Sequence, residues 1–120
     1  MFKFESLDVW NKSIELADKI TDMADTKIPR NHQFSLGEQI RRAVLSIPTN
    51  IAEGSGRSTL KDANYFYNIA KASSYEVISL MIIMKRRKYC NKEQFESIYL
   101  KTEEIAKMLS GLMKKKNWSK

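Results

Sequence analysis

The chain has 120 residues, 42% hydrophobic and 29% charged, with four glycines and two prolines, a composition that fits one globular domain and argues against a disordered linker or a turn-rich β-sandwich. Twenty-one Lys and Arg against 14 Asp and Glu give a net charge of +7, so the surface favours anionic partners without naming one. One cysteine, Cys90, and one histidine, His32, exclude an internal disulfide framework and a Cys/His zinc site, and the longest uncharged run, residues 43–52, is about half of what a membrane-spanning helix needs.

The chain opens Met1-Phe2-Lys3-Phe4-Glu5, without the basic region and apolar stretch of a secretory signal, so the cytoplasm is the expected compartment. From about residue 7 to residue 26, Leu7, Trp10, Ile14, Ala17 and Ala24, with a second row at Val9, Leu16, Ile20 and Met23, fall at helical period. Pro29 ends this helix. Ser35-Leu36-Gly37-Glu38 reads as a capping box that opens a second helix over 36–53, with Leu36, Ile40, Ala43, Val44, Ile47 and Ile51 as its buried stripe. Pro48 lies inside it and predicts a bend. Gly54 and Gly56 then read as a left-handed C-terminal cap.

Thr59 resembles the cap of a long third helix over 60–87, whose apolar row runs Ala63, Phe66, Ala70, Ser73, Val77, Leu80 and Met84. Residues 77–84 carry no charge, and their apolar side chains point all around the axis, more than a bundle stripe can cover. Ile78, Ile82 and Ile83 are therefore candidates for a subunit interface. Asn91 can cap a fourth helix over 92–115, where Phe95, Ile98, Thr102, Ile105, Leu109 and Leu112 keep the same spacing. Four such segments joined by short connections predict an all-α domain, an antiparallel up-and-down four-helix bundle.

Charge divides along this order. Residues 1–84 carry 10 basic and 10 acidic side chains, and residues 85–120 carry 11 and 4. The excess gathers at Lys85, Arg86, Arg87 and Lys88, and again at Lys114, Lys115, Lys116 and Lys120. Basic residues favour helix C-termini through the macrodipole, so this pattern has a structural explanation beside a phosphate-binding one. Lys85 to Lys88, together with Arg57 if a ring brings it to the same end, are the candidate nucleic-acid contacts. No Glu-x-x-His pair and no Gly-x-Ser-x-Gly motif occurs, so no enzyme, metal or cofactor is expected.

The run Gln39-Ile40-Arg41-Arg42-Ala43-Val44-Leu45-Ser46-Ile47-Pro48-Thr49-Asn50-Ile51-Ala52-Glu53-Gly54-Ser55-Gly56-Arg57 resembles the signature of the bacterial four-helix bundle family named for intervening sequences in large-subunit ribosomal RNA. Phe4 with Leu7, Val9 and Trp10, the pair Ile28-Pro29, and Ala70-Lys71-Ala72-Ser73-Ser74-Tyr75-Glu76 extend the resemblance over nearly the whole chain. It departs at Ala72, where a glycine is usual, and at Asn31-His32, where an acidic residue is usual. The resemblance implies a bundle that assembles into a ring, pentamers being the form associated with relatives. Some relatives are accessory proteins of diversity-generating retroelements, associated with nucleic acid and a reverse transcriptase, and no catalytic residues belong to the pattern.

Read physically, the signature is mostly architectural. Ser46 and Asn50 share a face near Pro48, and Ser73 and Glu76 on the third helix are candidates to meet them. Arg41, Arg42 and Arg57 read either as partners of Glu53 and Glu76 or as phosphate contacts. The expected function is a non-enzymatic, ring-forming bundle that binds RNA, DNA or a nucleic-acid enzyme through a basic surface multiplied by symmetry. The alternative is a protein-interaction scaffold with no direct nucleic-acid contact.

Overall fold

A computed structural model describes residues 1–118, with side chains described through Lys114. Lys115 and Lys116 therefore lie outside the described side chains, and Lys120 lies outside the described residues altogether. Four helices, α1 (Asp8–Lys27), α2 (Glu38–Ser55), α3 (Leu60–Arg86) and α4 (Lys92–Trp118), follow a short 3₁₀ turn at Lys3–Ser6, and no strand occurs among the described residues. Each helix packs on its neighbours in chain order and α4 closes against α1, with α2 on α3 the most extensive pairing and α1 on α4 the least. The result is an antiparallel up-and-down four-helix bundle about 49 Å long and 22 to 23 Å across.

The core follows the helical period. Leu16, Ile20, Ile40, Ile47, Ile51, Met81, Ile98, Ile105 and Leu109 are all 0 to 1% exposed, so every helix contributes one apolar face to a single cluster. On α1 the row of Val9, Leu16, Ile20 and Met23 is buried, whereas Trp10 and Ile14 of the other row are only partly covered. Of the uncharged run 77–84, Val77, Leu80, Met81 and Met84 enter the core, Ile78 is half-buried, and Ile82 and Ile83 remain 44% and 40% exposed.

Two helix starts are capped by their own side chains. The Thr59 hydroxyl accepts from the Asp62 N–H at 3.1 Å, and Asn91 and Gln94 form a reciprocal pair at 2.8 and 2.9 Å. The Ser35–Glu38 box expected at the start of α2 does not form. The chain is already coiled there, through a 3₁₀ turn at Arg30–His32 and a π turn at Gln33–Gly37, and the Glu38 N–H is taken by the Gln33 and Ser35 carbonyls. The Ser35 hydroxyl turns back to the His32 carbonyl at 3.2 Å. α2 then runs as one helix through the buried Pro48.

The left-handed cap expected at Gly54 and Gly56 is absent as well: no glycine has positive φ, and Gly56 closes α2 at φ −90° and ψ −2°. The left-handed position belongs to Lys88, at φ 63°. There the Tyr89 N–H donates to the Met84 carbonyl at 2.8 Å and the Lys88 N–H to the Lys85 carbonyl at 3.0 Å, which is the Schellman arrangement that usually carries glycine. Lys88→Gly is therefore expected to raise stability by about 0.5 to 1 kcal/mol, read as a higher urea midpoint at unchanged slope. An unchanged or lower midpoint would show that the lysine side chain compensates its own backbone.

Candidate nucleic-acid interface

The topology decides which cations meet. An up-and-down bundle places the α1–α2 and α3–α4 connections at one end, and the chain start, the α2–α3 connection and the end of α4 at the other. Residues 85–92 carry Lys85, Arg86, Arg87, Lys88 and Lys92, and residues 27–35 carry Lys27, Arg30 and His32, with no Asp or Glu in either segment. The two segments share one end, where His32, Ser35 and Leu36 line one wall of a cleft whose other wall includes Glu76, Leu80, Ile83 and Arg87. The sequence reading isolated Lys85 to Lys88 and missed Arg30 and His32, although two alternate connections of an antiparallel bundle must share an end.

Within this basic end the cations are differently held. Lys85 lies over the Phe95 ring with its nitrogen 4.6 Å from the centroid, a cation–π contact that ties α3 to the start of α4. Lys92 approaches Glu96 only at 4.0 Å across exposed surface, a pair of little strength. Arg86, Arg87 and Lys88 are exposed and form no ion pair among the described residues.

Arg57 is placed elsewhere. It precedes α3, which has 27 residues and so runs about 40 Å, putting Arg57 at the opposite end of the subunit from Arg86 and Arg87. Its guanidinium is also engaged, donating to Glu53 at 2.8 Å and lying 4.5 Å over the Phe66 ring. Within one subunit it therefore stands apart from the Lys85–Lys88 cluster, and only a neighbouring subunit could bring the two together. Glu53 is thus the partner of Arg57.

Arg41 instead meets Asp25 at the end of α1, with Nε 3.0 Å from the carboxylate, and also donates to the Gln33 side-chain carbonyl. The Gln33 amide in turn donates to the Ala24 and Ile28 carbonyls at 2.9 and 2.8 Å. This network clamps the α1–α2 connection onto both helices. Arg42 is exposed and forms no ion pair among the described residues.

The polar signature residues lie between α2 and α3. The Ser46 and Ser73 hydroxyls are 2.8 Å apart, and the Asn50 amide donates to the Ser46 carbonyl at 2.8 Å and to its hydroxyl at 3.0 Å. The Thr49 hydroxyl donates to the Leu45 carbonyl at 2.8 Å, so the carbonyls of two residues just before Pro48 gain side-chain donors. Glu76 is not part of this cluster. It is exposed and lines the cleft that holds Arg87. Gly54 is buried against α3: a Cβ on it would stand 2.7 Å from Cε1 of Tyr67 and 3.0 Å from the Ala63 carbonyl.

Titratable groups in the interior are few. Burial pushes the Tyr67 hydroxyl and the Cys90 thiol up from their ordinary values, with Lys85 pulling the thiol partly back, so both stay protonated at neutral pH. Among the described residues no group of three or more His, Cys, Asp and Glu side chains converges as a metal site, and no helix is long and apolar enough to cross a membrane.

One further surface was not isolated from the sequence. Tyr65, Asn68, Ala72, Tyr75, Ser79 and Ile82 follow at spacings of three and four along α3 and are all exposed, the repeat of a coiled-coil seam turned outward. Ile78 and Ile83 flank it, the first toward a groove with α4 and the second toward the cleft with α2.

A family model described as 23S rRNA-intervening sequence protein matches residues 5–111, a span that holds α1 to α3, most of α4, the proline-containing signature and the basic end. The chain belongs to the 23S rRNA-intervening sequence protein family. Among solved structures, the intervening sequence protein is similar to a protein of unknown function from the S23 ribosomal protein family of Bacteroides thetaiotaomicron, at 30% identity over 88% of this chain and 98% of the other, with a TM-score of 0.82. No curated protein matches the chain. Residues 112–120, with Lys114, Lys115, Lys116 and Lys120, fall outside the family match, whereas Lys85 to Lys88 fall within it.

Proposed function

We propose that this intervening sequence protein is a non-enzymatic, ring-forming bundle of the cytoplasm, a homopentamer, that binds RNA through its basic end. The observation that carries the reading is the sharing of one end by two connections, 27–35 and 85–92, that hold seven Lys and Arg and no carboxylate, with Arg86, Arg87 and Lys88 outside any ion pair among the described residues. The family description, which refers to ribosomal RNA, supports RNA over DNA as the first ligand to test. A reverse transcriptase is a further partner class, drawn from the resemblance to retroelement accessory proteins.

Ring assembly supplies the affinity that one patch lacks. Ile82 lies one turn before Arg86 on α3, so a cyclic assembly closed through the outer seam carries the basic ends of all subunits on one rim. Each later phosphate contact is then intramolecular, and weak individual contacts add.

Binding through phosphates falls linearly in log affinity as log salt rises, by about 0.7 to 0.9 per neutralised phosphate. The test is fluorescence anisotropy of a labelled single-stranded RNA across a salt series, for the wild type and for Arg86→Gln with Arg87→Gln. The double variant is expected to weaken binding at low salt and to flatten the slope by about one or more, at unchanged oligomer mass. Absence of binding by the intact oligomer at low salt would overturn the reading in favour of a protein-interaction scaffold. An unchanged slope would show that other cations hold the RNA.

A further inference from the structure

Phe34 lies in the π turn Gln33–Gly37 and is 89% exposed, more than any other large hydrophobic residue except Met1 among the described residues. Single exposed apolar side chains are common; Phe34 is set apart by the support beneath it. Among the described residues no aromatic ring pairs with it, and the turn beneath it is clamped from both sides. Gln33 is bonded to the Ala24 and Ile28 carbonyls and to Arg41. Gly37 is buried with Arg41 against the position its Cβ would take. A rigid support therefore holds an unpartnered aromatic face in water.

Arg30 and His32 precede it in the same connection, which holds no carboxylate, and Ser35 and Leu36, which follow it, line a cleft with Glu76 and Ile83 of α3 and Arg87, the residue after it. An exposed aromatic face in a connection with Arg30 and next to a cleft lined by Arg87, neither arginine in an ion pair among the described residues, is a combination that single-stranded nucleic acids recognise, because bases stack on the ring while phosphates meet the charges. In a duplex the base faces are already stacked inside the helix, and a lone surface phenylalanine reaches none of them.

We infer that Phe34 is a base-stacking platform which makes the basic end selective for single-stranded over double-stranded RNA. This rests on the RNA-binding reading above and adds the form of the ligand to it. Stacking on a single aromatic is sequence-tolerant, since every base has a π face, so the preference is for unpaired strand and not for a particular base.

The experiment measures binding of an unstructured 20-nucleotide RNA and of its duplex to the intact oligomer, with wild type, Phe34→Ala, Phe34→Leu and Phe34→Trp. A 2-aminopurine in the single strand reports stacking by quenching. The expected result is a loss of about fivefold or more in single-strand affinity for the alanine and leucine variants, with retention by tryptophan, unchanged duplex binding and an unchanged salt slope. Two outcomes overturn the inference while leaving the RNA-binding reading intact: single-strand affinity that is unchanged in Phe34→Ala, or a wild type that binds duplex as tightly as single strand. A fall in oligomer mass in Phe34→Ala would instead assign the ring to a subunit contact. If the wild type binds neither RNA at low salt, the reading itself fails and the inference with it.

Discussion

Gly54→Ala is expected to destabilise the bundle by about 1 to 3 kcal/mol, and Gly54→Val by more, measured as the free energy of urea unfolding. Helix propensity alone predicts the opposite, since alanine is favoured over glycine inside a helix by about 1 kcal/mol. Packing overrules it. The new methyl would meet the Tyr67 ring at 2.7 and 2.9 Å and the Ala63 carbonyl at 3.0 Å. Tyr67 is 1% exposed, so its ring has no free space to retreat into, and the carbonyl belongs to the backbone of α3. The control is Gly111→Ala on α4, where nothing lies within 4 Å of the added carbon and a gain of up to about 1 kcal/mol is expected. Equal stability of Gly54→Ala and the wild type would show that the two helices separate cheaply.

The second large effect is on assembly. On the proposed ring assembly through the outer seam of α3, Ile82→Asp is expected to leave only the 14.0 kDa subunit, read by sedimentation, because a carboxylate enclosed in a subunit interface has no partner to offset its lost hydration. Ile82 is 44% exposed in the subunit, so the variant should keep its helical circular dichroism. Met81→Asp, one residue away at a site that is 0% exposed, should unfold instead. That contrast separates an interface from a core position. Ile83→Asp should act more weakly, since it lines the cleft with Arg87, which offers the carboxylate a cation. A wild type that sediments as a monomer, or an Ile82→Asp oligomer of unchanged mass, would place subunit contact elsewhere.

What could be read from the chain depended on how local each interaction is. The caps at Thr59 and Asn91 were legible because the side chain bonds its own backbone three residues on. The start of α2 was not, because a π turn begins the coil before Ser35 and uses the amides that the capping box would have served. The apolar rows of α3 and α4 identify their buried faces by period alone, and Ser73 was placed opposite Ser46 by the same logic.

Gly54 shows the limit of one-dimensional reading. A glycine near a helix end fits a left-handed cap and a close helix contact equally well, and only Tyr67, on the next helix, distinguishes them. The Arg41 pairing with Asp25 is likewise invisible without knowing how α1 and α2 face each other. Arg57 can join the Lys85–Lys88 cluster only across subunits, since the length of α3 separates them within one. The grouping of Arg30 and His32 with Arg87 was available from the alternation of helix direction, and the outward seam on α3 from its spacing, but both are hidden when each helix is read only for its buried face.

The close approach at Gly54 also bears on how the chain folds. Gly54 meets Ala63 and Tyr67 across one of the shortest connections in the molecule, between helices ending at Ser55 and starting at Leu60. Contacts separated by 9 and 13 residues require little loop closure, whereas α1 and α4 can meet only after most of the chain has been ordered. Local contacts of this kind lower the entropic barrier and favour fast folding. The tightest corner of the bundle is thus a natural nucleus, from which α2 and α3 present a continuous apolar face for the outer two helices to join.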